Sequence, residues 1–93
     1  MAHHKSAIKR WHQSLRERER NRSRRTRARN AIRKLREAVA AGDGTTVEEA
    51  LREAYSAVDR AAKKGAIHDG KADRLKRRMA HLVQRARAAQ DAA

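Results

Sequence analysis

Between Arg16 and Arg29 the chain reads RERERNRSRRTRAR: eight arginines and two glutamates in fourteen residues, with Ala28 the only apolar one. No Pro or Gly interrupts it, so nothing local opposes a helix. A helix charged on every side has no face to bury against protein. It is either a solvated strut or a rod held by a polyanion. Two acids do not balance eight arginines, and every phosphate neutralised by Arg releases condensed counterions. The polyanion is the better account. Glu17 and Glu19 read as local partners of arginines one helical turn away, for example Glu17 with Arg20, and not as catalytic carboxylates.

The rest of the composition narrows the class. Ninety-three residues make one small domain. A formal net charge of +14 exceeds what solubility needs, and 18 of the 25 basic residues are Arg, which forks onto phosphate. One Trp, one Tyr and no Phe are too few for repeated base stacking on a single strand, so contacts to backbone and to folded nucleic acid are expected. Without cysteine there is no disulfide frame, thiolate metal site or thiol nucleophile. The polar, basic start has no apolar run behind it, which predicts no signal peptide, no membrane span and a cytoplasmic place. Charge is uneven: +11 over residues 1–41, −1 over 42–65 and +4 over 66–93.

Periodicity predicts an all-α chain, a three-helix bundle with a long, projecting basic first helix. Helix 1 is expected over about 6–41, with Ser6 as N-cap and Met1 to His4 frayed ahead of it. Its apolar residues form two stripes, Ala7, Ile8, Trp11 and Leu15, then Ala28, Ile32, Leu35 and Val39 with Ala31 and Ala38. Trp11 and Ile32 stand roughly 60° out of line on an ideal helix, so only the second stripe is a continuous core face. Gly42-Asp43-Gly44 ends the helix. Thr45 or Thr46, each three residues before a Glu, is expected to cap helix 2, about 46–64, which Gly65 stops. Helix 3, about 69–90, follows a cap at His68 or Asp69, with Leu75, Met79, Leu82 and Val83 inward. The first half of helix 1 finds no partner in the chain. Residues 5–27, with little to bury, are expected to order only on their ligand.

No catalytic constellation emerges: no phosphate-cradling Gly-rich loop, no nucleophile beside a base, no paired carboxylates. His3, His4 and His12 have no carboxylate or thiolate at metal-ligand spacing. No metal and no cofactor is expected. Trp11 either stacks on a base or sugar or folds onto Ile8 and Leu15; Tyr55 is expected at the edge of the core with its hydroxyl in water. His68 either caps helix 3 or touches phosphate, and His81 is expected at the surface.

Several runs resemble the bacterial small-subunit ribosomal protein S-twenty family: Ala2, Lys5-Ser6-Ala7 and Lys9-Arg10; Arg20-Asn21-Arg22-Ser23 with Arg25-Thr26; Ala31-Ile32-Arg33-Lys34; and Ser56 through Lys63-Lys64-Gly65 with Ile67-His68. The likeness extends in order to about Met79. Asp69 and Gly70 depart from the family's basic continuation, while Lys71, Ala72, Arg74, Lys76 and Arg78 follow it. The resemblance implies a three-helix bundle that is not an enzyme, binds 16S ribosomal RNA within the small (30S) subunit, and has neighbouring ribosomal proteins. The RNA-binding residues expected are Lys5, Lys9, Arg10, Trp11, Arg16, Arg18, Arg20, Asn21, Arg22, Arg24, Arg25, Arg27, Arg29 and Arg33 on helix 1, then His68, Lys71, Arg74, Arg77 and Arg78. A DNA-binding basic helix is the alternative, but Gly42 leaves no room for a leucine seam after the basic region. A membrane-surface or partner-binding basic helix is less favoured, since Arg16–Arg29 has no apolar face to enter an interface.

Overall fold

A computed structural model describes residues 2–92, with side chains from His4 to Ala92. It contains three helices, α1 (Ala2–Ala41), α2 (Gly44–Lys63) and α3 (Asp69–Ala92), and no strand among the described residues. α1 is one uninterrupted helix through the arginine-rich segment, 40 residues and so roughly 60 Å long. Ser6 does not cap it: helical backbone is already present from Ala2 onward. Met1 lies outside the described residues. α3 likewise runs to Ala92, past Gln90.

The turns are made by backbone conformation. Gly42 sits at φ +76°, a region costly for residues with a Cβ, and its N–H reaches the carbonyls of Ala38 (3.1 Å) and Val39 (3.2 Å). The α2 cap differs from expectation. Asp43, not a threonine, is the N-cap: its carboxylate accepts from Thr45 N–H at 3.2 Å and from the Thr46 hydroxyl at 2.6 Å. Once Gly42 reverses the chain, Asp43 is the first side chain able to reach those donors, and the helix starts earlier, at Gly44. The Thr46 hydroxyl, then backbone donors there, holds the Asp43 carboxyl below its ordinary value. At the other end Gly65, φ +77°, closes a Schellman motif: its N–H bonds Ala62 O at 3.0 Å and the Ala66 N–H bonds Ala61 O at 2.8 Å. The apolar pair this motif needs is Ala61 with Ala66, both buried.

The core lies where the second half of α1 meets α2 and α3. Seven of its thirteen buried residues are alanine, so helix backbones approach closely over little apolar volume. Leu35 and Val58 are the largest fully buried side chains, contributing about 1.5–3 kcal/mol each by transfer from water. α1 packs chiefly along α2; α3 leans on α2 and meets α1 only lightly. The tail of α3 is tied back by Gln90, whose amide donates to Gly42 O at 3.2 Å. Tyr55 stands half-buried at the edge of the core, with its hydroxyl 3.5 Å from Lys76 O, a long contact rather than a strong bond. The whole measures 73 × 21 × 13 Å, because half of α1 extends beyond the bundle.

Candidate nucleic-acid interface

Every residue from His4 to Arg20 is exposed. This free half of α1, residues 2–20, projects roughly 28 Å at about 1.5 Å per residue. Lys5, Lys9, Arg10, Arg16, Arg18 and Arg20 all stand on it, as does Trp11 at 60% exposure. Ile8 and Leu15 are also open, at 45% and 36%. The Trp11 ring stands edge-on to the neighbouring His12 ring, with centroids 5.0 Å apart. At about 100° per residue Ile8, Trp11 and Leu15 lie roughly 120–180° around the helix from Leu35, so this stripe faces away from the core.

The basic segment enters the bundle at Asn21, where burial begins. Asn21, Arg24 and Arg25 are half-buried. Arg24 donates to Asn21 Oδ1 at 3.2 Å. Arg25 donates across the fold to Ala66 O at 3.4 Å, tying the rod to the link between α2 and α3. These two guanidinium groups already serve the fold, while Arg22, Arg27, Arg29 and Arg33 are exposed. The Glu17–Arg20 pair is not made within ion-pair distance, as is usual where two mobile chains gain little in water.

One row is set apart by helical register. Arg18, Arg22, Arg25, Arg29, Arg33 and Arg36 recur at three and four residues and so share one side of α1, the side that Trp11 and Leu15 begin. Of this row Arg25 alone reaches across to Ala66 O in the α2–α3 link, while Arg18, Arg22, Arg29, Arg33 and Arg36 stay exposed. The far end of the row reaches a groove between α1 and α3, about 410 Å³ in volume, lined by Ile32 and Arg36 of α1 and by Leu75, Arg78, Met79, His81, Leu82 and Arg85 of α3. Arg36 and Arg85 were not among the expected site residues. Their signal was present, Arg36 one turn beyond Ile32 and Arg85 two turns beyond Arg78, but it meant nothing until the two helices were placed side by side.

The acids sit elsewhere. Among the described residues two ion pairs form, Lys76 with Asp59 and Arg87 with Glu48 at 3.3 Å, both joining α3 to α2. The Asp59 carboxylate, by its hydrogen bond, holds the Lys76 ammonium above its ordinary range. No acid lines the α1–α3 groove. Lys71, Arg74 and Arg77 are exposed on α3 but do not line it. His68 is the cap of α3: its Nδ1 accepts from Gly70 N–H at 3.0 Å, and its carbonyl accepts from Ala72 N–H at 3.0 Å. Among the described residues no group of three His, Cys, Asp or Glu side chains forms a cation site; the His3 side chain lies outside them. No described helix is long and apolar enough to cross a membrane.

Comparison with known proteins decides the family, since the family model described as ribosomal protein S20 matches residues 2–84. This chain belongs to the ribosomal protein S20 family. S20 is a family of structural ribosomal proteins, not of enzymes. A small ribosomal subunit protein bS20 of Desulfovibrio desulfuricans is 48% identical over 83 residues, 89% of this chain and 93% of the relative. That of Geotalea daltonii is 47% identical over 83 residues, covering 89% and 95%. The bS20 protein of Solidesulfovibrio magneticus is 45% identical over 89 residues, 96% of this chain and the whole of the relative. The S20 match takes in all of α1 and α2 and α3 as far as Gln84, and with them both walls of the groove except Arg85.

Proposed function

We propose that this protein is a structural constituent of the small ribosomal subunit in the cytoplasm, that it binds 16S ribosomal RNA directly, and that it stabilises the folded RNA through arginine–phosphate contacts. The observation that carries this is the free half of α1: a fully exposed helical rod bearing six basic residues and two acids between His4 and Arg20. A rod with charge on all sides suits a position among several RNA segments, where DNA recognition uses one face in one groove. In this reading Lys5, Lys9, Arg10, Arg16, Arg18, Arg20, Arg22, Arg27, Arg29 and Arg33 neutralise phosphates, and Trp11 lies on a base or sugar. Arg25 ties the rod to the α2–α3 link and Arg24 bonds Asn21 within α1, while both guanidinium groups present their remaining donors. Lys71, Arg74, Arg77 and Arg78 supply a second basic surface on α3, and His68 orders its start through the Nδ1 cap with Nε2 left free. The mechanism is electrostatic bracing: two basic surfaces at a fixed angle, set by a small alanine-rich bundle, hold RNA segments that otherwise repel.

The test is crosslinking in cells followed by sequencing of the attached nucleic acid. Discrete positions in 16S RNA, reached from α1, are expected. A diffuse spread over messenger RNA or DNA would overturn the assignment and leave a general nucleic-acid binder.

A further inference from the structure

We propose that the α1–α3 groove is a nucleotide pocket: it receives one unstacked base of the bound RNA on its apolar floor, with the flanking phosphates held by Arg36, Arg78 and Arg85. The inference rests on the RNA-binding reading above and narrows it from a charged surface to a discrete site. The floor is Ile32, Leu75 and Leu82, half-buried, over the buried Met79. The rim carries arginines from both walls, Arg36 on one and Arg78 with Arg85 on the other, and none of them has an ion pair or side-chain hydrogen bond among the described residues. An apolar surface rimmed by one sign of charge, with no acid lining it, calls for a ligand that is flat and apolar in the middle and anionic at its ends. A nucleotide within a strand has that form, and guanidinium planes also stack on bases.

One further observation favours RNA over an acidic peptide. The groove stands at the end of the arginine row Arg18, Arg22, Arg25, Arg29, Arg33 and Arg36, so a strand tracking those residues is carried to its mouth. The groove stays open because α2, not α1, is the main support of α3.

The experiment compares full-length variants for binding to 16S RNA, with chemical probing of every base in the complex. Leu82→Trp fills the groove without changing charge. It is expected to lose protection at one nucleotide and to weaken binding by about 5- to 150-fold, the range for stacking of one base, with the salt dependence unchanged. Arg78→Gln with Arg85→Gln, both exposed, leaves the floor intact and should lower the salt slope by about 1.4–1.8. A benzophenone side chain in place of His81, at the rim, should crosslink to that same nucleotide. Leu82→Trp binding and footprinting like wild type would overturn the pocket, as would a crosslink from position 81 to protein or to many scattered nucleotides. If the wild-type protein itself fails to bind 16S RNA, it is the RNA-binding reading that falls.

Discussion

Replacing Arg18, Arg22 and Arg29 together by Gln tests the arginine row directly. All three are exposed, and none makes a side-chain hydrogen bond or ion pair among the described residues. Bundle stability should therefore change by no more than about 0.5 kcal/mol, as for other unpartnered surface sites. Binding should change much more. Each neutralised phosphate contributes about 0.7–0.9 to the slope of log affinity against log salt, so three contribute about 2.1–2.7. Over a fourfold rise in salt, from about 50 to about 200 mM, the wild type should lose about 20- to 40-fold more affinity than the variant. The assay is titration of a labelled 16S transcript at several potassium chloride concentrations, with thermal melting as the control for folding. A variant that melts normally and keeps the full salt slope would show that these guanidinium groups do not neutralise phosphate, whatever its affinity.

Leu35→Ala removes one of the two largest fully buried side chains and should cost about 2–5 kcal/mol, read by urea titration; a loss below about 1 kcal/mol would mean the α1 seam is not packed as described. Asp43 contributes a pH-dependent stabilisation of fixed sign. Its folded carboxyl titrates below the ordinary 3.8, so the contribution is complete above that value and is lost as pH falls through the lowered one. Asp43→Asn still caps the helix but should flatten that part of the acid decline in melting temperature; an unchanged acid profile would argue against the cap. In hydrogen exchange, amides of residues 5–20 should exchange far faster than those around Leu35 and Val58, and should slow when 16S RNA is added. Uniform protection along α1 in the free protein would contradict the view that its first half orders on RNA.

The three helices and the glycine stops of the first two were readable because each follows from local chemistry, whereas the starts of α1 and α2 and the end of α3 were not. Apolar residues at three and four residues draw α2 and the second half of α1, and Gly42 and Gly65 stop helices by adopting positive φ. The exposed first half of α1 was readable too, since its short stripe Ala7, Ile8, Trp11 and Leu15 is out of line with the core face and the charged segment after it has nothing to bury. Where a local rule did not decide, tertiary geometry did. The spacing to Glu points to Thr45 or Thr46 as the cap and passes over Asp43, which the direction in which the chain leaves Gly42 selects. Arg25 looks like its neighbours in sequence, yet the placement of Ala66 gives it an internal acceptor.

The arginine row illustrates the division most clearly. Its spacing is written in the sequence, but with eight arginines in fourteen residues every side of the helix carries some, and no side stands out. The packing of α3 sets the last member of one row, Arg36, on the rim of a groove and joins it to Arg78 and Arg85, about forty to fifty residues away along the chain. The sequence by itself determined that this chain is helical, strongly basic and unable to bury half of its first helix. Only the tertiary structure decided which arginines stand together over an apolar floor, because that depends on the angle at which two helices meet and not on the spacing within either.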